Sequence, residues 1–245
     1  MKTRSVSARR LLFVAVFVAV APAARAQDPG GDAAKPEARE GGWMTLHESF
    51  VAQARKGGVD LVFLGDSITQ GWGSRGDQGP TSVWDRYYDP RRAANFGIGG
   101  DRTQHVLWRV THGELDGIRP KVVVLNVGTN NMYANTPAEI ADAVGLIVKA
   151  VRKALPESKV LVLGIFPRGK EGESVRERIK AANARIARLD DGKAVRYLDL
   201  GPSFLGPDGA LDRAVMPDLL HLSRRGYGIW AEAMEPTLQA LLEGK

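Results

Sequence analysis

The sequence predicts a three-layer α/β domain built on a parallel sheet. Short, wholly apolar runs such as Val122-Val123-Val124-Leu125 and Val160-Leu161-Val162-Leu163 mark strands buried on both faces. These runs alternate with stretches of helical length and period, the pattern of right-handed βαβ crossovers. The first three predicted strands also run into turns rich in glycine and polar residues, and chemistry in such sheets collects beyond the carboxyl ends of the strands.

Taken in order, the first 26 residues have the three parts of a secretory signal. A basic start runs through Arg10, an apolar run covers Leu11 to Val20, and Ala24-Arg25-Ala26 is a small-x-small cleavage site, so cleavage is expected after Ala26. The apolar run stops before Pro22, short of the roughly 20 residues a spanning helix needs, which argues against a stable membrane insertion after cleavage. Arg9-Arg10 ahead of Leu11-Leu12-Phe13 loosely matches a twin-arginine signal, so either export route leads to a secreted or periplasmic protein. Gln27 to Gly42 is rich in Gly, Pro, Ala and charge and reads as a flexible leader, with order beginning near Trp43 and a single domain spanning 43–245.

Within that domain, His47 to Lys56 reads as a short helix packed on the sheet through Phe50 and Val51. The strand candidates are Leu61 to Leu64, Ala93 to Phe96, Val122 to Asn126, Val160 to Gly164 and Val195 to Leu198. Helical stretches fall near Ser82 to Tyr88, Thr103 to Thr111, Pro137 to Ala154, Ser174 to Leu189 and Arg224 to Leu242.

Composition narrows the partner. The formal charge is +6, but Lys2, Arg4, Arg9, Arg10 and Arg25 lie in the first 26 residues, where there is no acid, and without them it is +1. A nearly neutral domain is no nucleic-acid binder on electrostatic grounds. With no cysteine there is no disulfide, lipoprotein anchor or thiolate metal site.

The strand ends carry the chemistry. After the first strand come Gly65-Asp66-Ser67, where a helix N-terminus supplies unpaired N–H groups and the positive end of the dipole. Asp66 or Ser67 could simply cap that helix, or Ser67 could be a nucleophile. After the second and third strands come Gly97-Ile98-Gly99-Gly100-Asp101 and Gly128-Thr129-Asn130-Asn131. After the fifth, the chain reaches Asp218-Leu219-Leu220-His221. On a single turn the Asp218 carboxylate can accept a hydrogen bond from the His221 ring, leaving the other ring nitrogen to take a proton from Ser67.

Gly65-Asp66-Ser67, Gly100, Asn130 and Asp218-x-x-His221 resemble the four blocks of the SGNH, or GDSL-type, hydrolases, in the expected order. The stretches NFGIGGDRTQHVLWRV and GELDGIRPKVVVLNVGTNN, with Pro167-Arg168-Gly169, are similar to the catalytic alpha subunits of platelet-activating-factor acetylhydrolase Ib. The likeness covers nearly all of Trp43 to Leu242, and it turns the choice at Ser67 toward a nucleophile. It implies a flavodoxin-like sheet in the order 2-1-3-4-5 and ester hydrolysis through an acyl-enzyme. By the same resemblance Ser67 is the nucleophile, His221 the base and then acid, and Asp218 its orienting carboxylate. The N–H groups of Ser67 and Gly100 and the Asn130 amide form the oxyanion hole. No cofactor or metal is called for, the partner is a small acyl-ester substrate, and kinship to subunits admits a homodimer. Ile68 departs from the motif's usual Leu, an exchange that touches packing more than chemistry, and the export signal departs from the intracellular enzymes.

The expected activity is therefore an exported serine esterase acting on small acyl esters, acetyl above all, with an O-acetylated carbohydrate or other small ester as substrate. A platelet-activating-factor-like acetylhydrolase or lysophospholipase, and a non-catalytic carbohydrate- or lipid-binding protein, are the alternatives. Other signals weigh less. Gly71 to Gly76 fits G-x-G-x-x-G but lies beyond the strand with no helix starting in it, so it reads as a mobile loop by the pocket rather than a dinucleotide site. His105 and His112 lack a third metal ligand.

Overall fold

The computed structural model describes residues 31–74 and 79–244. The export signal and its cleavage site after Ala26, residues 27–30 of the leader, and Arg75 and Gly76 of the glycine-rich stretch lie outside the described residues.

Five parallel strands, β1 (Leu61–Gly65), β2 (Ala93–Gly97), β3 (Val122–Asn126), β4 (Lys159–Leu163) and β5 (Val195–Leu198), form one sheet in the order β2-β1-β3-β4-β5. This is the order the resemblance implied. Among the described residues seven α-helices flank them: α1 (Gly42–Lys56), α2 (Ser67–Gln70), α3 (Thr81–Tyr87), α4 (Thr103–Thr111), α5 (Pro137–Ala154), α6 (Ser174–Ile186) and α7 (Arg224–Leu242).

Alternation along the strands sorts the core into two layers. Val62, Leu64, Phe96, Val123, Leu125, Val160 and Val162 face α1, α4, α5 and α6, whereas Leu61, Phe63, Val122, Val124, Leu161 and Leu163 face α7 and the aromatic residues Trp72, Tyr88 and Trp230. Both faces are covered, which is why these strands read as unbroken apolar runs rather than as alternating ones. Helix α5 has the most complete start signal: Thr136 and Glu139 form a capping box around Pro137 at the first helical position.

Between β1 and β3 the chain order reverses, so the crevice at their carboxyl ends is where a ligand would lie. Strand β1 delivers Ser67 there because two glycines permit it. A Cβ on Gly65 would meet the Asn126 carbonyl at 2.2 Å, and one on Gly97 would meet the Gln70 nitrogen at 2.2 Å. Only a bare backbone lets α2 pack this tightly across the ends of β1 and β2.

The leader departs from expectation. Instead of staying flexible up to Gly42, it lies on the domain from Gly31 onward, beginning with a 3-10 turn over Gly31–Ala34. Ala33 is buried, its carbonyl accepts the Thr103 hydroxyl at 2.9 Å, and the Glu37 N–H donates to the Gln104 carbonyl at 3.2 Å. Asp32 accepts from the Asn135 side chain, and Arg39 reaches Gly99 and Asp101. A composition rich in Gly, Ala and charge hides this docking because the partners lie on α4, on the strand-end loops and at Asn135. Helix α1 accordingly starts at Gly42, ahead of the expected His47.

Candidate active site

The site grows from one turn. Asp66 is the N-cap of α2: its buried Oδ1 accepts the Ile68 N–H at 3.0 Å. The cap and nucleophile readings are therefore divided between neighbours, with Asp66 folded inward and Ser67 left at the first helical position facing the crevice. Burial pushes the Asp66 carboxyl up to about 7, against the Ile68 N–H that lowers it and with the help of nearby Asp101. Its Oδ2 has no hydrogen-bond partner among the described residues, as a protonated or weakly charged carboxyl tolerates better than an ionised one.

Ser67 Oγ lies 3.0 Å from His221 Nε2, across 154 residues of sequence. His221 Nδ1 in turn lies 2.7 Å from Asp218 Oδ2. The Asp218 Oδ1 atom accepts the backbone N–H groups of Leu220 at 3.0 Å and His221 at 2.7 Å. Partial burial opposes the Asp218 charge, but the His221 ring and these two backbone donors outweigh it and hold the carboxyl below the usual range. The turn is tight enough to place Leu219 at φ 60, a left-handed conformation uncommon for a branched side chain. The Leu219 carbonyl is tied to the Gly169 N–H at 2.9 Å, so the segment after β4 braces the histidine loop.

Each of the three groups predicted to donate to an oxyanion keeps an N–H that no hydrogen bond among the described residues uses. As the first residue of α2, Ser67 has no intrahelical partner for its N–H. Gly100 sits at φ 76 in the turn Ile98–Asp101, closed by the Asp101 N–H on the Ile98 carbonyl at 3.2 Å, and its own N–H donates to nothing among the described residues. Asn130, half-buried in the 3-10 turn Thr129–Asn131, gives one amide hydrogen to the Asp101 carbonyl at 2.9 Å, which leaves the other free and fixes the side chain's direction. Its neighbour Asn131 is fully buried and spent on Thr103, Gln104 and Asn135, so of the two asparagines Asn130 is the one with an amide hydrogen to spare.

A cavity of about 410 Å³ opens beside Ser67, lined by Gln70, Gly71, Ser74, Gly79, Pro80, His221, Leu222 and Tyr227. Gly71 borders it without a side chain because a Cβ there would lie 1.9 Å from the Tyr227 hydroxyl, which donates to the Ile68 carbonyl at 2.7 Å. The stretch expected to be a mobile loop begins instead as a 3-10 turn, Gly71–Gly73, anchored by the buried Trp72.

Beneath the Gly100 turn lies a charge cluster that the residue patterns did not reveal. Buried Arg109 donates to Asp101 Oδ2 at 2.9 Å, to the Phe96 and Gly65 carbonyls at 3.0 Å each, and to Glu114. It thereby ties the carboxyl ends of β1 and β2 to the loop that follows. Trp43 Nε1 adds a 2.7 Å bond to Asp101 Oδ1. The one signal of this cluster in the sequence is an arginine set between Val106, Leu107 and Val110 on a buried helix face. His105 is buried here too, its Nδ1 accepting the Arg102 N–H at 3.0 Å, and burial, reinforced by Arg39, Arg102 and Arg109, lowers it to about 4. His112 instead lies exposed, stacked on Trp108 at 3.9 Å. Among the described residues no group of three His, Asp or Glu side chains could hold a metal ion, and no helix is long and apolar enough to cross a membrane.

Three comparisons bear on this geometry. Residues 63–229, more than half of the chain, match the GDSL-like Lipase/Acylhydrolase family. The chain is 40% identical over 204 residues to platelet-activating factor acetylhydrolase IB subunit alpha1 of Rattus norvegicus, covering 83% of this chain and 85% of that protein. Among solved structures it is similar to a GDSL-like lipase of Bacteroides thetaiotaomicron, with TM-score 0.62 and 18% identity over 79% of this chain and 97% of that one. It is likewise similar to a carbohydrate acetylesterase family member of Sinorhizobium meliloti, with TM-score 0.59 and 16% identity over 76% and 99%. At these identities the two structures speak for the fold alone.

Proposed function

This chain belongs to the GDSL-like lipase/acylhydrolase family and is an ester hydrolase, and on that premise we propose that it is an exported serine esterase removing small acyl groups, acetyl above all, through an acyl-enzyme. The observation that carries the mechanism is the continuous relay from Ser67 Oγ to His221 Nε2 at 3.0 Å and from His221 Nδ1 to Asp218 at 2.7 Å.

In this reading His221 Nε2 takes the Ser67 proton as Oγ attacks the ester carbonyl carbon. The carbonyl oxygen, now an oxyanion, is held by the N–H groups of Ser67 and Gly100 and by Asn130 Nδ2. The intermediate collapses as imidazolium His221 protonates the departing alcohol. Water then repeats the sequence on the acyl-enzyme, releasing the carboxylic acid and returning the proton to Ser67. Asp218 keeps Nδ1 protonated throughout and supports the transient imidazolium charge.

The leading substrate is an O-acetylated carbohydrate or other small exported ester, in keeping with a crevice where both Asp218 and His221 are exposed and a bulky alcohol can stay in solvent. The 40% identity to an acetylhydrolase named for platelet-activating factor favours a second reading, an acetylated phospholipid. Fluorophosphonate labelling of wild type beside Ser67→Ala, followed by rates on p-nitrophenyl acetate, acetylated xylan oligomers and an acetyl-phospholipid, tests all of this. Loss of labelling and turnover together in the variant supports the serine esterase, an unlabelled folded wild type overturns it, and turnover of the lipid alone selects the second reading. Export is tested by N-terminal sequencing of the exported protein: Gln27 at its start is expected, and a retained Met1 overturns it.

A further inference from the structure

We infer that Arg39, carried by the segment ahead of α1, is a positioning residue that sets the direction of the Gly100 N–H. This deepens the serine-esterase reading and rests on it.

The Arg39 Nη1 atom donates to the Gly99 carbonyl at 2.9 Å and to Asp101 Oδ1 at 3.1 Å. The Gly99 carbonyl and the Gly100 N–H belong to one peptide unit, and in a trans peptide the two groups point in opposite directions. Holding the carbonyl on the Arg39 side therefore aims the N–H away from Arg39, the side of the oxyanion in the proposed hole; the turn borders the nucleophile, since a Cβ on Gly99 would lie 3.9 Å from the Ser67 Cβ.

This peptide needs such a hold. Ile98–Asp101 forms a turn with Gly100 at φ 76 in its third position, the type II arrangement. Rotation of its central peptide by about half a turn gives the type I arrangement, and with glycine at both central positions neither form meets a side-chain barrier. The flipped form would point the Gly99 carbonyl, an acceptor, at the oxyanion. Two hydrogen bonds oppose it: Gly99 N–H to Gln70 Oε1 at 2.9 Å fixes the preceding peptide, and Arg39 fixes the critical one.

Arg39 is itself well placed to act. Its guanidinium packs over Gly100, so that a Cβ there would lie 3.5 Å from Nη1 and 3.6 Å from Nη2. The second bond of Nη1, to Asp101, joins it to a carboxylate already held by Trp43 and Arg109. A charged donor bound both to the carbonyl and to a fixed carboxylate makes a stronger, better-directed hydrogen bond than a neutral one. Upstream, the segment is anchored by Ala33 and Glu37 on α4.

The test compares wild type, Arg39→Lys, which keeps a charged donor, and Arg39→Met, which keeps the stem and loses every donor, in the mature protein with p-nitrophenyl acetate. The expected result is a fall in kcat in that order, on the order of 10-fold for Arg39→Met, less than the roughly 10²- to 10³-fold that outright loss of an oxyanion donor costs. KM should stay within about twofold. In ¹⁵N-labelled protein the Gly100 amide signal should broaden or split in the same order, reporting the second peptide orientation. A kcat within about twofold of wild type in both variants, or a loss that follows Tm rather than donor number, overturns the inference. Should Arg39→Met not fold, an unchanged Gly100 signal in Arg39→Lys overturns it. A wild type with neither turnover nor fluorophosphonate labelling is instead the failure of the esterase reading, and the Gly100 signal still decides the role of Arg39.

Discussion

Asp218 holds His221 twice: Oδ2 lies 2.7 Å from the ring Nδ1, and Oδ1 accepts the backbone N–H of the same residue at 2.7 Å. One carboxylate thus sets both where the histidine sits and which nitrogen carries its proton. Asp218→Asn keeps an acceptor for the backbone but turns an amide donor toward Nδ1, which favours the tautomer with its proton on Nε2 and blocks transfer from Ser67. The expected outcome is a fall in kcat of about 10²- to 10⁴-fold with little change in Tm, read from ester turnover and a thermal melt.

In the proposed oxyanion hole Asn130 contributes through its free amide hydrogen, while its other one is held by the Asp101 carbonyl. Asn130→Ala should lower kcat roughly 10²- to 10³-fold with KM little changed, because the bond is needed only once negative charge has formed on the oxygen. Steady-state kinetics on p-nitrophenyl acetate check this, and an unchanged kcat removes Asn130 from the hole.

Asp66 should make stability depend on pH. Burial raises its carboxyl to about 7 from 3.8. Between about pH 4 and 7 the folded state holds a proton that the unfolded chain has lost, so its contribution is full below pH 4, declines as pH rises toward 7, and is flat above. Asp66→Asn keeps an acceptor for the Ile68 N–H and removes this decline. Its Tm relative to wild type should therefore climb from pH 4 to 7, by a free energy up to the order of 4 kcal/mol, as thermal melts across that range would show.

Arg109 is the cation shared by Asp101 and Glu114, all three fully buried. Arg109→Leu takes the shared buried counter-charge from Glu114 and from Asp101, which keeps its bond to Arg39, and frees the Gly65 and Phe96 carbonyls. A loss of about 3–5 kcal/mol is expected, measured as a drop in the urea midpoint.

Much of this site was legible in the chain because each part follows a local rule. Val122–Asn126 reads as a strand and Thr103–Thr111 as a helix from the pattern of apolar residues alone, and both bounds coincide with the structure. The residues after each strand end arrive at one rim because a parallel sheet aligns its carboxyl ends. What escaped was long-range pairing of charge: nothing near Arg39 in sequence says that Gly99 and Asp101, some 60 residues on, will receive it. The leader was misread for the same reason, since its composition describes a chain without partners and its partners are remote.

The sequence alone determined the alternation that makes an α/β sheet, the glycines that leave room for α2 against the ends of β1 and β2, and the candidate residues of the relay, since these are matters of periodicity, size and chemical type. Only the tertiary structure decided that Asp66 turns inward while Ser67 turns outward, that Asn130 rather than Asn131 keeps an amide hydrogen to spare, and that the segment before α1 supports the Gly100 turn. Each of these depends on which direction a side chain points once distant strands are brought within about 3 Å hydrogen-bond reach, and direction is a property of the assembled fold.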